Sequence, residues 1–196
     1  HLTALASTLE LCPLGAADSF AGLLDALADF ARNHQEGWLM GFGYDPCVLA
    51  ERAHPTRQVL DQRFPDRPVL LTHASGHMGV VNTAALKLLE VPARADAIPS
   101  GVIGVESGAP TGYLEEAAFL HYLHQLPLPG REEFLAAFDR AQTLYASHGI
   151  TVVQEGLFTP QLIRPYQDLL RRGGLYLHVV GYAAPVKNSA GPVLSV

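Results

Sequence analysis

The stretch ITVVQEGLFTPQLIRPYQDLLRRGGLYLHVVGYA, residues 150–183, decides the fold class. Ile150 to Gln154 is a β-branched run of the kind that suits a strand. A helix is predicted from near Pro165, since proline is tolerated in a first turn, to Arg172. Gly173-Gly174 stops it, and Leu175 to Ala183 reads as a second apolar strand. Strand, helix and strand with short links form the βαβ unit of a parallel sheet, so the chain is expected to be α/β.

Working back from that unit, Phe134, Leu135, Phe138, Ala141 and Leu144 form the apolar stripe of a helix from Arg131 to about His148, closed by His148-Gly149. Another helix is expected from Tyr113 to about Gln125, with Pro127 to Gly130 as the break between the two. Pro92 to Gly112, rich in Pro, Gly and small residues, reads as an irregular connection. Asn82 to Leu89 reads as a helix, and Val69 to His73, after the turn residues Pro65 to Pro68, as a buried strand. Gly37 to Tyr44 is a short glycine-punctuated strand ending at Asp45-Pro46. Asp18 to Asn33 is an amphipathic helix on Phe20, Leu23, Leu24, Leu27 and Phe30, with Asp18 or Ser19 as its N-cap.

Composition narrows the function classes. In 196 residues, 48% are hydrophobic and 16% charged, which excludes wholesale disorder. The 13 Lys+Arg against 19 Asp+Glu leave no broad basic face, so neither nucleic acid nor an anionic membrane is an expected partner. No apolar run approaches the roughly 18 residues of a membrane span, and the start lacks the charged region of a signal peptide. Cys12 and Cys47 are too few for a disulfide framework or a Cys-rich zinc site, which points to a reducing, cytoplasmic setting. The first residue is not Met, so the chain is expected to have been trimmed or cut from a longer one.

Nine histidines invite a metal reading. Yet His34, His54, His121, His124 and His148 fall in loops or on helix faces and ends, where capping and solvation explain them. There is no His-Glu-x-x-His, paired-Cys, phosphate-loop or Gly-x-Ser-x-Gly motif. The sharper cluster is Thr72 to Asn82, which follows a buried strand and precedes a helix, the sheet edge where ligands bind. His73 and His77 are its candidates for a substrate-facing donor or acid–base group. The alternative is that both only bond loop backbone and hold the turn. Glu115 and Glu116 fall in the first turn of the expected helix from Tyr113, where acids are favoured on electrostatic grounds alone.

An ordered series of short motifs adds a family resemblance. It comprises Gly37-Trp38-Leu39-Met40-Gly41-Phe42-Gly43-Tyr44-Asp45, then His54-Pro55-Thr56-Arg57 with Leu60-Asp61, and Pro65-Asp66-Arg67-Pro68-Val69. Gly76-His77 with Asn82-Thr83-Ala84-Ala85-Leu86, Pro110-Thr111-Gly112-Tyr113-Leu114-Glu115-Glu116 and Gly149 to Gln154 complete it. In this order they resemble the first half of a YtcJ-like metal-dependent amidohydrolase, the group that includes N-substituted formamide deformylases.

The resemblance implies a partial (β/α)₈ TIM barrel with parallel strands and an irregular insertion, residues 1–196 being a fragment of one catalytic domain. It implies hydrolysis of non-peptide C–N bonds in a small amide- or formamide-type substrate by water activated on a divalent metal, expected to be zinc. His1-Leu2 is similar to the second His of the family's His-x-His metal pair and the residue after it, which makes His1 the implied metal ligand. His77 and Asn82 match family positions and are placed near the substrate pocket, Glu116 matches a family acidic position to which spacing assigns no role, and Glu116 and His73 join them as substrate-binding candidates. Lys187 lacks the glycine-flanked context of the family's metal Lys and receives no such role. A half barrel leaves strand edges unpaired, so homo-oligomerisation or completion by further strands is expected, and the isolated chain is expected to be inactive. The competing reading is a non-catalytic α/β domain that binds a small molecule through the His73 to Asn82 stretch.

Overall fold

A computed structural model describes residues 1–127 and 130–183, so Lys187 lies outside the described residues. In chain order the first elements are α1 (Leu2–Leu9), β1 (Cys12–Pro13), α2 (Phe20–Ala31), β2 (Leu39–Tyr44), α3 (Arg57–Asp61), β3 (Val69–His73), β4 (Met78–Val81) and α4 (Thr83–Leu88). They continue as β5 (Gly101–Glu106), β6 (Ala109–Glu116), α5 (Ala117–Leu123), α6 (Arg131–Ser147), β7 (Val152–Phe158), α7 (Pro160–Arg171) and β8 (His178–Ala183). Two compact units result: Leu11–Pro127, and residues 1–10 together with the described residues 130–183.

Leu11–Pro127 is built on one mixed sheet of order β1-β2-β3-β4-β6-β5. Its first three strands are parallel, and the pairs from β3/β4 onwards are antiparallel. Period-two alternation sorts the side chains onto two covered faces. Val69, Leu71 and Val80 join Leu23 and Leu27 of α2 and Leu60 of α3 in one core. Leu70 and Val81 join Ala85 and Leu86 of α4 and Phe119 and Tyr122 of α5 in the other. Ser19 caps α2 as expected, its side chain accepting from the Gly22 N–H. Gly79 is where α5 reaches the sheet: a β-carbon there would lie 2.6 Å from the Phe119 ring and 2.5 Å from the Leu71 carbonyl oxygen.

The sheet corrects three expectations. β4 lies inside the stretch read as a loop between strand and helix, so the strands are not all parallel. Pro92 to Gly112 is not wholly irregular, because β5 and β6 form a hairpin with Glu106 opposite Ala109. Its two-residue turn has Ser107 at φ 50° and Gly108 at φ 76°, the left-handed pair that matches the twist of a hairpin. Tyr113 to Glu116 belong to β6, and the helix begins only at Ala117. Tyr113, Leu114 and Glu115 pair with Val80, Gly79 and Met78, and the backbone hydrogen bonds of a central strand outweigh the helical preference of an acidic pair.

In the other unit, β7 and β8 pair in parallel from Val152 opposite His178 to Phe158 opposite Ala183, with α7 as the intervening helix. The expected βαβ unit is present. α7 starts at Pro160 and carries Pro165 inside it, five residues earlier than the sequence suggests. Leu2 and Ala6 of α1, Ala137, Phe138 and Ala141 of α6, Val153 of β7 and Tyr166 and Leu169 of α7 share one core. Buried Gln142 accepts from the Tyr176 and Leu177 N–H groups and donates to the Gly174 carbonyl, fixing the approach to β8. No closed barrel is seen among the described residues.

Candidate functional site

At the carboxyl ends of β2 and β3, register sets Tyr44 beside His73, and Asp45 follows directly. The connection to α3 brings in His54, whose Nδ1 lies 2.9 Å from the Tyr44 hydroxyl. The His54 ring centroid is 5.9 Å from that of His73 and 4.7 Å from that of Tyr113. Asp45 Oδ1 lies 3.9 Å from His73 Nε2. Tyr113 donates to Glu115 at 3.0 Å, and burial followed by that bond pushes its hydroxyl up to about 12. Burial likewise raises Tyr44 above the ordinary phenol range, with Tyr113 adding in the same direction. Both hydroxyls therefore remain donors near neutral pH.

His54 is pushed the other way. Burial lowers its pKa and nearby His73 lowers it further, while Glu115 and Asp45 oppose. Its folded value is thus below the roughly 6.5 of an unfolded histidine, so the unfolded chain takes up the proton first. The stabilisation is complete above about pH 6.5 and is lost as pH falls from there towards the folded value. Denaturation followed through Trp38, the chain's one Trp and part of this unit, is expected to show a lower midpoint at pH 5.5 than at 7.5. His54→Gln should flatten that dependence, and an unchanged slope in the variant would refute the assignment.

Of the substrate-binding candidates, His77 and Glu116 are brought together. His77 Nδ1 lies 3.3 Å from Glu116 Oε2, and the Glu116 N–H donates to the His77 carbonyl at 2.8 Å. Glu116 sits at φ 51° and ψ −124°, a strained conformation for a residue with a side chain. His73 stands one loop away, with its Nδ1 turned to Ser75. Asn82 is placed differently: it is 0% exposed, and its amide bonds the backbone of Val69, Ala85, Phe64 and Arg67. No face of it is left for a ligand to reach.

In the unit containing β7, the implied metal ligand His1 lies against Gly156, where a β-carbon would run into its ring. The Gly156 N–H donates to His1 Nδ1 at 2.7 Å. Glu155 Oε1 is 3.7 Å from the same nitrogen, but a nitrogen that accepts a backbone proton has none to give the carboxylate. Glu155 itself is 4% exposed, and its Oε2 accepts from Thr3 N–H, Thr3 Oγ1 and Tyr166 at 2.8, 2.6 and 2.8 Å. Burial raises the Tyr166 pKa, opposed by Thr3 and reinforced by Glu155, so the phenol keeps its proton.

These residues do not make a metal centre. No group of three His, Cys, Asp or Glu among the described residues is arranged to hold an ion. The Gly156 N–H engages His1 Nδ1, which leaves Nε2 as the ring nitrogen not bonded to the backbone.

Sequence reasoning missed the parts that depend on tertiary packing. His54 reads as an ordinary loop histidine, and Tyr44 as a strand residue; folding makes them partners. Glu155 did leave a signal, since it lies two residues from Val153 and therefore on the same inward face of a β-branched strand.

Comparison with known proteins agrees with the motif series. The profile of the amidohydrolase family matches residues 1–193. N-substituted formamide deformylase of Arthrobacter pascens is 32% identical over 154 residues, covering 74% of this chain and 28% of that protein. YtcJ of Bacillus subtilis strain 168 is 34% identical over 112 residues, covering 56% of this chain and 21% of that protein. Among solved structures, uncharacterized metal-dependent hydrolases from Pyrococcus furiosus and Pyrococcus horikoshii OT3 superpose with TM-scores of 0.63 and 0.66 at 25% identity. Each comparison covers 93% of this chain but only 36% and 35% of the two structures. The chain thus spans about a third or less of the length of these relatives.

Proposed function

The chain belongs to the amidohydrolase family, in the branch like YtcJ and N-substituted formamide deformylase, and from that premise we propose that it is part of a metal-dependent hydrolase of small amide- or formamide-type molecules. The observation that carries this reading is the family match over residues 1–193, joined by the identity to a protein named as a formamide deformylase. The fold is read as part of a (β/α)₈ barrel in which β7 and β8 are neighbouring strands. Val152, Val180 and Tyr182 on these strands are exposed, which suits strands that further barrel elements or a second copy would cover. A divalent metal, zinc by expectation, would be held with ligands supplied beyond the described residues.

The test uses the longer protein that contains this chain. Supplied with zinc, iron or manganese, it is expected to hydrolyse members of a panel of N-substituted formamides, acetamides and cyclic amides, and to lose that activity on chelation. No turnover across the panel with any of the three metals would overturn the proposal. The 196-residue chain alone is expected to show no turnover and no tight stoichiometric metal binding; either result to the contrary would refute the incomplete-site reading.

A second reading, small-molecule binding without catalysis, draws on the polar aromatic cluster at the edge of β2 and β3. His77→Ala in the longer protein separates the two. Unchanged hydrolysis with lost small-molecule binding would favour the binding module.

A further inference from the structure

Hydrogen bonds around His73 and His54 fix where each ring carries its proton. The Ser75 N–H donates to His73 Nδ1 at 3.0 Å. A backbone N–H only donates, so that nitrogen is bare and the proton of the neutral ring sits on Nε2. Ser75 Oγ accepts from the His77 N–H at 3.2 Å, leaving its own proton for His73 Nδ1 at 2.9 Å.

At His54 the argument runs through Tyr44, which is wholly buried and whose hydroxyl has His54 Nδ1 as its partner. If Nδ1 carried the proton, the phenol proton would be buried without an acceptor, at a cost of about 1–3 kcal/mol. Tyr44 therefore donates, and His54 also carries its proton on Nε2. Among the described residues, neither Nε2–H has a hydrogen-bond acceptor. Asp45 Oδ1, at 3.9 Å from His73 Nε2, is beyond bonding range.

We propose that His54 and His73 form a paired N–H donor site for the oxygen of a neutral carbonyl group, of the amide or formamide class, at the carboxyl edge of β2 and β3. The surroundings select the ligand. Asp45 and Glu115 stand close by, so an anion would meet like charge. An ammonium group has no lone pair with which to accept the two N–H groups. A carbonyl oxygen has two lone pairs and no net charge. Low proton affinity at His54 keeps the ring neutral near pH 7. The choice of amide rests on the hydrolase reading, whereas binding at this edge does not require catalysis.

The test is ¹⁵N NMR of the 196-residue chain labelled at histidine, at pH 7.5. Both rings are expected in the Nε2–H tautomer, and N-methylformamide should shift both Nε2 signals saturably. Formate and methylammonium at the same concentrations should not. His54→Phe and His73→Phe should each weaken the N-methylformamide response at least tenfold, while His54→Gln, which keeps an acceptor for Tyr44 and a donor, should retain part of it.

An Nδ1–H tautomer in either ring, no saturable response, an equal response in the Phe variants, or a response to formate or methylammonium would overturn the site. The tautomer measurement needs no variant, so misfolding of a substituted chain leaves the proposal testable. Amide binding here beside a longer protein inert to all amides would refute only the hydrolase reading. Hydrolysis with unmoved His54 and His73 signals would refute only this site.

Discussion

Asn82→Ala is expected to destabilise the Leu11–Pro127 unit by about 3–5 kcal/mol. An N-cap alone is worth about 1 kcal/mol, and Asn82 does cap α4 through the Ala85 N–H. The same oxygen also accepts from the Val69 N–H at 3.0 Å, while its NH₂ group donates to the Phe64 and Arg67 carbonyls at 2.7 Å each. One wholly buried side chain thus satisfies backbone groups at the start of β3, the start of α4 and the turn after α3. Truncation strands two donors and two acceptors at once. Trp38 fluorescence in a urea titration measures the loss, and a value near 1 kcal/mol would reduce Asn82 to an ordinary cap. Asn82→Asp separates the two halves of the amide. It keeps both acceptor bonds but sets a carboxylate against two carbonyls, so its stability should fall as pH rises through the carboxylate range and recover in acid.

That arrangement also explains why parts of the fold could be read from sequence and others not. Asn82-Thr83 and Leu60-Asp61 stand out as motifs, and Asp61 accepts from both the Thr83 N–H and its hydroxyl. Short polar residues that cap helices leave a local signature, as do the apolar stripes of α2 and α6. β4 and the β5/β6 hairpin carry no such mark. β4 has four residues, and one of them is Gly79, conserving no alternation strong enough to separate it from a loop. β6 is held on both sides by neighbours distant in sequence, and only those pairings overrule the local preference of Glu115 and Glu116. At the candidate site, His73 and His77 were visible from their place after a buried strand. The tautomers of His54 and His73 were not, because they depend on which proton Tyr44 and Ser75 present across the folded chain.

Glu155→Ala is expected to release residues 1–9 from β7. Three donors converge on one carboxylate oxygen, two from Thr3 and one from Tyr166, and deletion leaves them facing an apolar hole. Buried, charge-assisted bonds lost together put the cost at about 3–5 kcal/mol. Glu155→Gln keeps one acceptor oxygen and should lose only about 1–2 kcal/mol. Trp38 lies in the other unit, so the readout is hydrogen exchange along Leu2–Leu9 and Val152–Phe158. A tenfold loss of protection corresponds to about 1.4 kcal/mol at 25 °C, so Glu155→Ala should exceed a hundredfold where exchange reports this opening. Tyr166→Phe removes one of the donors, and its effect should shrink when Glu155 is already Ala, a coupling that a double-mutant cycle reads directly. Unchanged protection of Leu2–Leu9 in Glu155→Ala would sink the idea. Because His1 is seated on the adjacent Gly156 N–H, Glu155 acts on His1 by holding Thr3, and its loss should loosen the ring without the carboxylate ever bonding it.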